Sequence, residues 1–266
     1  MKLMRSFSQS SFIVLVLVLS FACFTRTQEV DNEREFSYEE DSEIGPGNWG
    51  KIRPEWSECN SGSLQSPIDL LNERVEEVSH LGRLKRNYNP SNATLINRGH
   101  DMMGIQINGT LYHLRQCHWH SPSEHTINGK RFDMEAHLVH ESDDKRTAVI
   151  GIMYKIGRPD SFLSMLKRDF EAIVETRDVE RIVGVVNPKL VEWGSRKYYR
   201  YMGSLTVPPC TQNIIWTIMK KVRTVTREQV ELIREAVYDE SEMNARPIQP
   251  INERFINLYR PKDREN

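Results

Sequence analysis

The sequence offers almost no net charge to a partner: 36 Lys and Arg stand against 37 Asp and Glu, a formal charge of −1. With no basic stripe or basic run, nucleic-acid binding is set aside as a function class. Cysteine is scarce as well, four in 266 residues, so the fold has to rest on a hydrophobic core of its own, which a chain of this length can bury. Between about residues 45 and 260 there is no linker, no internal repeat and no low-complexity tract, which leaves one domain. Helical periodicity is limited to DSFLSMLKRDFEAIVE and TREQVELIREAV. In the second, Thr226 followed three residues later by Gln229 is a capping-box arrangement.

Long apolar runs are missing too, except near the start. There Lys2 and Arg5 precede FIVLVLVLSF, residues 12–21, which is too short to span a bilayer comfortably. Small residues and then polar ones follow, the layout of a secretory signal peptide over residues 1–27, cleaved near Thr25 to Thr27. No membrane span is expected after cleavage. The acidic stretch EVDNEREFSYEEDSE makes residues 28–44 a disordered or trimmed leader by expectation, ahead of a domain over 45–261 and a polar tail over 262–266. Cys23 leaves with the signal peptide. Cys59, Cys117 and Cys210 then allow three single pairings, among which their spacing does not choose, and an oxidising compartment favours one bridge with the third thiol buried. Asn92-Ala93-Thr94 and Asn108-Gly109-Thr110 are sequons, so Asn92 and Asn108 are candidate glycosylation sites.

What fills the chain is short runs rich in β-branched and aromatic residues, such as TLYHLRQCHWH, RFDMEAHLVHE, TAVIGIMYKI and IIWTIMKK, punctuated by turn residues. The fold class is therefore α+β and sheet-dominated, a single domain around a large central, mostly antiparallel β-sheet with peripheral helices.

QCHWHSPSEH, residues 116–125, holds three of the eight histidines. If Asn128-Gly129 is a two-residue hairpin loop, counting outward from it sets His120 directly opposite His137. His118 shares the face of His120, because side chains alternate along a strand. Three imidazoles then converge, close enough across the strands to share an ion. Gln116 lies on the His118 face, and Glu135 and Val139 on the His137 face, while Cys117 and Trp119 point away. Cys117 is thus not a ligand, and Gln116 and Glu135 are placed to accept from the ligands' far ring nitrogens. Three neutral imidazoles leave a fourth position open, the arrangement of a catalytic zinc.

The segments QCHWHSPSEHT, EAHLVH, SLTVPPC and NARPIQP, with NWG and QSPIDL upstream, resemble the α-class carbonic anhydrases from about Gly45 to Tyr259, and SPSEHTINGK resembles their plant branch. The resemblance implies zinc-dependent reversible hydration of carbon dioxide to bicarbonate and a proton by zinc-bound hydroxide. It implies His118, His120 and His137 as zinc ligands with Gln116 and Glu135 behind them. Thr206 orients the hydroxide, Glu124 accepts the Thr206 hydroxyl proton, and His100 is the proton shuttle. Val139, Val149, Leu205, Thr206, Val207 and Trp216 line the substrate pocket. A Cys59–Cys210 disulfide leaves Cys117 free, and sulfonamides or anions are the expected inhibitors. Lys51 and Val207 depart from residues common in the family, which bears on turnover and inhibitor preference. Two other classes stand beside this one: a storage or binding protein on the same scaffold, and an esterase-type hydrolase. The secretory route leads to the extracellular space or cell wall, or to the chloroplast stroma by way of the endoplasmic reticulum.

Overall fold

Strands dominate the computed structural model, which describes residues 35–95, 102–107, 110–174, 181–236 and 243–261. In chain order the elements are α1 (Trp49–Ile52), α2 (Glu58–Ser61), β1 (Val75–Glu77), β2 (Lys85–Arg86), β3 (Ser91–Leu95), β4 (Met102–Ile107), β5 (Thr110–His120) and β6 (Met134–Ser142). There follow β7 (Thr147–Ile156), α3 (Ser161–Val174), β8 (Arg181–Val186), β9 (Tyr198–Ser204), β10 (Gln212–Met219), β11 (Arg223–Val225), α4 (Arg227–Ala236) and β12 (Ile256–Tyr259). Ten strands form one sheet in the order β1-β12-β9-β10-β7-β6-β5-β4-β2, with β11 also paired to β7; β3 and β8 make a separate ribbon. Pairing is parallel at β1/β12, β10/β7 and β11/β7, and antiparallel elsewhere. This is the α+β, sheet-dominated architecture that the strand-like runs imply.

The sheet separates two apolar layers. On one face Trp119, Ala136, Leu138, Ile150 and Ile152 pack with Phe162, Leu163, Leu166 and Phe170 of α3 and Val230 and Ile233 of α4. The helical spacing of those residues gives α3 a single apolar stripe. Asp160 starts α3 by accepting the backbone N–H groups of Phe162 and Leu163 at 2.9 and 3.1 Å, which satisfies two of its orphan donors. Thr226 and Gln229 form the expected reciprocal capping box at α4, each side chain accepting the other's backbone N–H at 3.2 Å. On the opposite face Val149, Met153, Tyr199, Tyr201, Leu205, Trp216 and Ile218 form the second layer. β6 lies between the two and is buried along almost its whole length.

The leader is corrected by the structure. Its last part, residues 35–44, is packed and not disordered: Phe36 is buried, 5.1 Å from Trp49 and 6.4 Å from Trp56 between ring centroids. The Ser37 N–H donates to Ile44 O at 2.8 Å, Trp49 Nε1 donates to Ser37 O at 3.0 Å, and Arg53 pairs with Glu35 at 2.6 Å. Phe36, with Tyr38 5.7 Å from Trp49 between ring centroids, anchors a segment whose charge alone argues for disorder. The expected signal peptide and the polar tail lie outside the described residues.

Candidate metal centre

β5 and β6 bring the histidines together, in a register two residues away from the expected one. His118 pairs with His137, and His120 with Glu135. Asn128 and Gly129 do make a tight turn, with φ of 51° and 73° and with Ile127 and Lys130 exchanging backbone hydrogen bonds at 3.0 and 3.1 Å. That turn closes only a small lobe within residues 121–133; β6 resumes at Met134. A shift of two residues preserves side-chain parity. His118, His120 and His137 therefore still share one face, while Cys117 and Trp119 sit opposite Leu138 and Ala136 toward the α3 layer.

The three rings lie 5.0, 5.2 and 4.6 Å apart between centroids, and each offers a nitrogen within 4.8 Å of the others. Two far nitrogens have fixed partners. His137 Nε2 donates to Glu135 Oε1 at 3.0 Å, and His120 Nδ1 donates to the carbonyl of Asn244 at 2.6 Å. These bonds set the tautomers, leaving the His137 Nδ1 and His120 Nε2 lone pairs free. His120 Nε2 is buried without a hydrogen-bond partner, as expected of a nitrogen that a bound cation would satisfy; His118 Nδ1 and Glu124 Oε2 are likewise buried and unpartnered. Burial, reinforced by His120 and His137, holds His118 well below its usual pKa, and burial also lowers that of His137. Both are neutral at pH 7, as ligands must be. Burial acts to raise the Glu135 pKa, yet its electrostatic interactions and hydrogen bonds with His125 and His137 together hold that carboxyl well below the usual range.

Other expectations meet the structure unevenly. Gln116 does not bond to His118, whose Nδ1 has no partner; Gln116 shares the correct face, opposite Val139, but alternation fixes only a face and not reach. Glu124 Oε1 accepts the backbone N–H of Arg246 at 3.0 Å, and its Oε2 lies 3.7 Å from His120 Nε2 and 3.9 Å from His137 Nδ1. No hydrogen bond joins Glu124 to buried Thr206 among the described residues. Val139, Val149, Leu205 and Trp216 share one apolar layer, with the Trp216 ring 4.8 Å from that of His137. Val207 packs instead with the cluster around Cys59 and Cys210. Those two cysteines form a disulfide. Cys117 is free, its thiol pushed up to about 12 by burial, which makes it inert. Asn92 is exposed on β3. His100 and Asn108 lie outside the described residues.

Asn244 was not singled out in the sequence. Its carbonyl fixes His120, its Oδ1 accepts the Ser121 N–H at 2.8 Å, and its Nδ2 donates to Trp119 O at 3.1 Å. A carbonyl contact carries no side-chain signature; only the Asn-Ala-Arg-Pro segment as a whole hinted at it.

Residues 44–260 match the family model described as eukaryotic-type carbonic anhydrase. The chain belongs to this family. It is 54% identical over 258 residues to alpha carbonic anhydrase 7 of Arabidopsis thaliana, covering 94% of each chain. Among solved structures, dioscorin complexed with ascorbate is similar with a TM-score of 0.81 and 44% identity, over 86% of this chain and 99% of that one. The α-carbonic anhydrase of Thermovibrio ammonificans, in complex with the inhibitor sulfanilamide, follows with a TM-score of 0.72 and 30% identity, over 84% of this chain and 98% of that one. The three-histidine cluster of this carbonic anhydrase domain thus sits in a fold shared with enzymes and with dioscorin. Among the described residues no helix is long and apolar enough to cross a membrane.

Proposed function

We propose that this chain is an active zinc carbonic anhydrase, interconverting carbon dioxide and bicarbonate. The observation that carries this reading is the set of three imidazoles on one face of β5 and β6, each offering a nitrogen within 4.8 Å of the others. His118, His120 and His137 would hold the ion, since zinc takes three histidines and keeps a fourth position open in catalytic sites. When bound, zinc lowers the pKa of water from about 15.7 to about 7, supplying a nucleophile at neutral pH. The layer of Val139, Val149, Leu205 and Trp216 beside His137 offers a small apolar substrate a surface and excludes water from it. Glu124 brings a carboxylate oxygen without a hydrogen-bond partner to the cluster, suited to accept a hydroxyl proton, and Thr206 is the hydroxyl assigned to it. The decisive experiment measures zinc content alongside stopped-flow hydration, with and without a chelator. Full hydration by a zinc-free sample ends the reading.

A second reading, a binding or storage protein on this scaffold, is favoured by the likeness to dioscorin. Against it stands the retention of all three candidate ligands together with Thr206 and Glu124. A sulfonamide is the inhibitor class proposed here, from the sulfanilamide complex of a relative. The secretory route is proposed from the sequence layout, with Asn92 exposed and available for glycosylation.

His100 is assigned the removal of the product proton. Transfer from a group near pKa ~7 to an imidazole near pKa ~6.5 is nearly level, whereas transfer to bulk water is uphill. His100→Ala is expected to slow hydration at least about tenfold in weak buffer, the lower side of general acid–base effects, and to recover with added imidazole. Unchanged rates, or a loss that imidazole does not restore, would remove His100 from this role.

A further inference from the structure

Two of the most exposed apolar side chains among the described residues are neighbours. Ile182 is 81% exposed and Val185 70%, values that Phe255 approaches at 73%. Both lie on β8, in the two-stranded ribbon with β3. Alternation alone sends residues three apart to opposite faces of a strand. A bulge prevents that here: β8 takes three steps from Val185 to Ile182 where β3 takes two from Asn92 to Thr94. Gly184, at φ 86°, supplies the left-handed backbone that such a bulge needs. Val183 and Val186 therefore face the core with Ala93 and Leu95, while Ile182 and Val185 both face outward.

The residues opposite them belong to a sequon. Asn92 pairs with Val185 and Thr94 with Ile182 in the antiparallel ribbon, and such partners share a face with Cβ atoms about 5 Å apart. Asn92 is itself exposed. The outer face of the ribbon thus sets an acceptor asparagine beside two bare aliphatic side chains, and none of the four residues is ionised. No third strand pairs with the ribbon among the described residues. A short open ribbon is ordinarily guarded by charge, and contiguous exposed apolar surface ordinarily has a cover. This face lacks the first and has an attachment point for the second.

We infer that Asn92 carries an N-linked glycan whose first sugar lies over Val185 and Ile182, so that a covalent group and not another chain covers this face. The inference rests on the secretory route proposed above and is independent of the zinc reading. In the attachment step the Asn92 amide nitrogen bonds to C1 of the N-acetylglucosamine at the head of a lipid-diphosphate-linked oligosaccharide. The C1–O bond to the diphosphate breaks, the lipid diphosphate leaves with the bonding pair, and the amide gives up one proton. The attached sugar suits both of its surroundings. Its ring C–H face and acetyl methyl displace water from Ile182 and Val185, while its hydroxyls stay solvated, as expected of a bulky, solubilising surface group.

Hydroxyl-radical labelling of side chains, read by mass spectrometry on the full chain secreted from a eukaryotic host, tests the inference. Thr94→Ala removes the sequon and keeps Asn92. Wild type is expected to carry the glycan at Asn92, and its labelling at Ile182 and Val185 is expected to be several-fold lower than in Thr94→Ala. Phe255 is the control: it is as exposed but stands just ahead of β12, outside the ribbon, and its labelling is expected to be equal in the two proteins. If Thr94→Ala is not secreted, the same comparison is made on folded wild type before and after enzymatic removal of the glycan. Equal labelling of Ile182 and Val185 with and without the glycan overturns the cover, as does an equal change at Phe255, which would make the effect global. Protection that persists in Thr94→Ala and rises with protein concentration assigns the face to a second copy of the chain and also overturns it. A secreted protein with Asn92 unmodified overturns the inference alone, whereas a chain that is not secreted overturns the secretory reading and the inference with it.

Discussion

His137→Ala is expected to bind no zinc at micromolar protein and metal, and to lose carbon dioxide hydration by at least about three orders of magnitude. The size follows from what the ion supplies. A water pKa drop from about 15.7 to about 7, at roughly 1.36 kcal/mol per unit, favours hydroxide by about 12 kcal/mol. No side chain in the cluster can replace that, since His118 and His137 are held neutral by burial. His137 is the candidate ligand whose loss is expected to do most damage, because among the three histidines it alone is hydrogen-bonded to Glu135 and it lies 4.8 Å from Trp216 between ring centroids. Truncating a buried ring also leaves a cavity, with a stability cost of about 1–3 kcal/mol. Unfolding of both proteins in chelator therefore has to be measured beside metal content, so that lost ligation is separated from lost fold. A folded His137→Ala protein with near-stoichiometric zinc and undiminished hydration would remove the three-histidine site from the argument.

The face of that site was legible because a strand has a period of two residues. His118, His120, Glu135 and His137 fall on one side and Cys117 and Trp119 on the other whether the strands pair as expected or two residues away. The register itself was not legible. The Asn128-Gly129 turn is real, but it belongs to a small lobe whose tip is held by Asp69 through the Gly129 N–H and whose base is closed by Ser123 N–H to Phe132 O. Local turn chemistry cannot report how far beyond it a strand resumes. The carbonyl of Asn244 was invisible for a different reason, since every residue type has one. Phe36 and Tyr38 were lost within an acidic composition, although their rings pack on the cluster of Trp49 and Trp56. The disulfide partner of Cys59 came from family resemblance. Spacing among three cysteines carries no such information, whereas the orientation of Cys117 follows from strand alternation alone.

Replacing both bridged cysteines, Cys59→Ala with Cys210→Ala, is expected to lower unfolding free energy by about 2–5 kcal/mol. The two residues are 151 apart in sequence, and the chain-entropy estimate for closing a loop of that length is about 5 kcal/mol. The upper part of the range is expected because the bridge also anchors a layer of its own. Phe36, Trp49 and Trp56 pack around it, Gln65 Nε2 donates to Cys210 O at 3.1 Å, and the Arg246 guanidinium donates to Cys59 O at 2.7 Å. Arg246 passes the constraint toward the metal centre, because its backbone N–H holds Glu124 Oε1. The candidate ligand histidines themselves stand on β5 and β6, which the sheet holds without the bridge. The double variant is thus expected to keep zinc under conditions where it is folded, and to unfold at lower denaturant concentration than the oxidised wild type. Wild type unfolded in the presence of a reductant should approach the variant's midpoint. Equal midpoints for variant and oxidised wild type would show that the packing around Trp49 and Arg246, and not the covalent link, secures this end of the molecule.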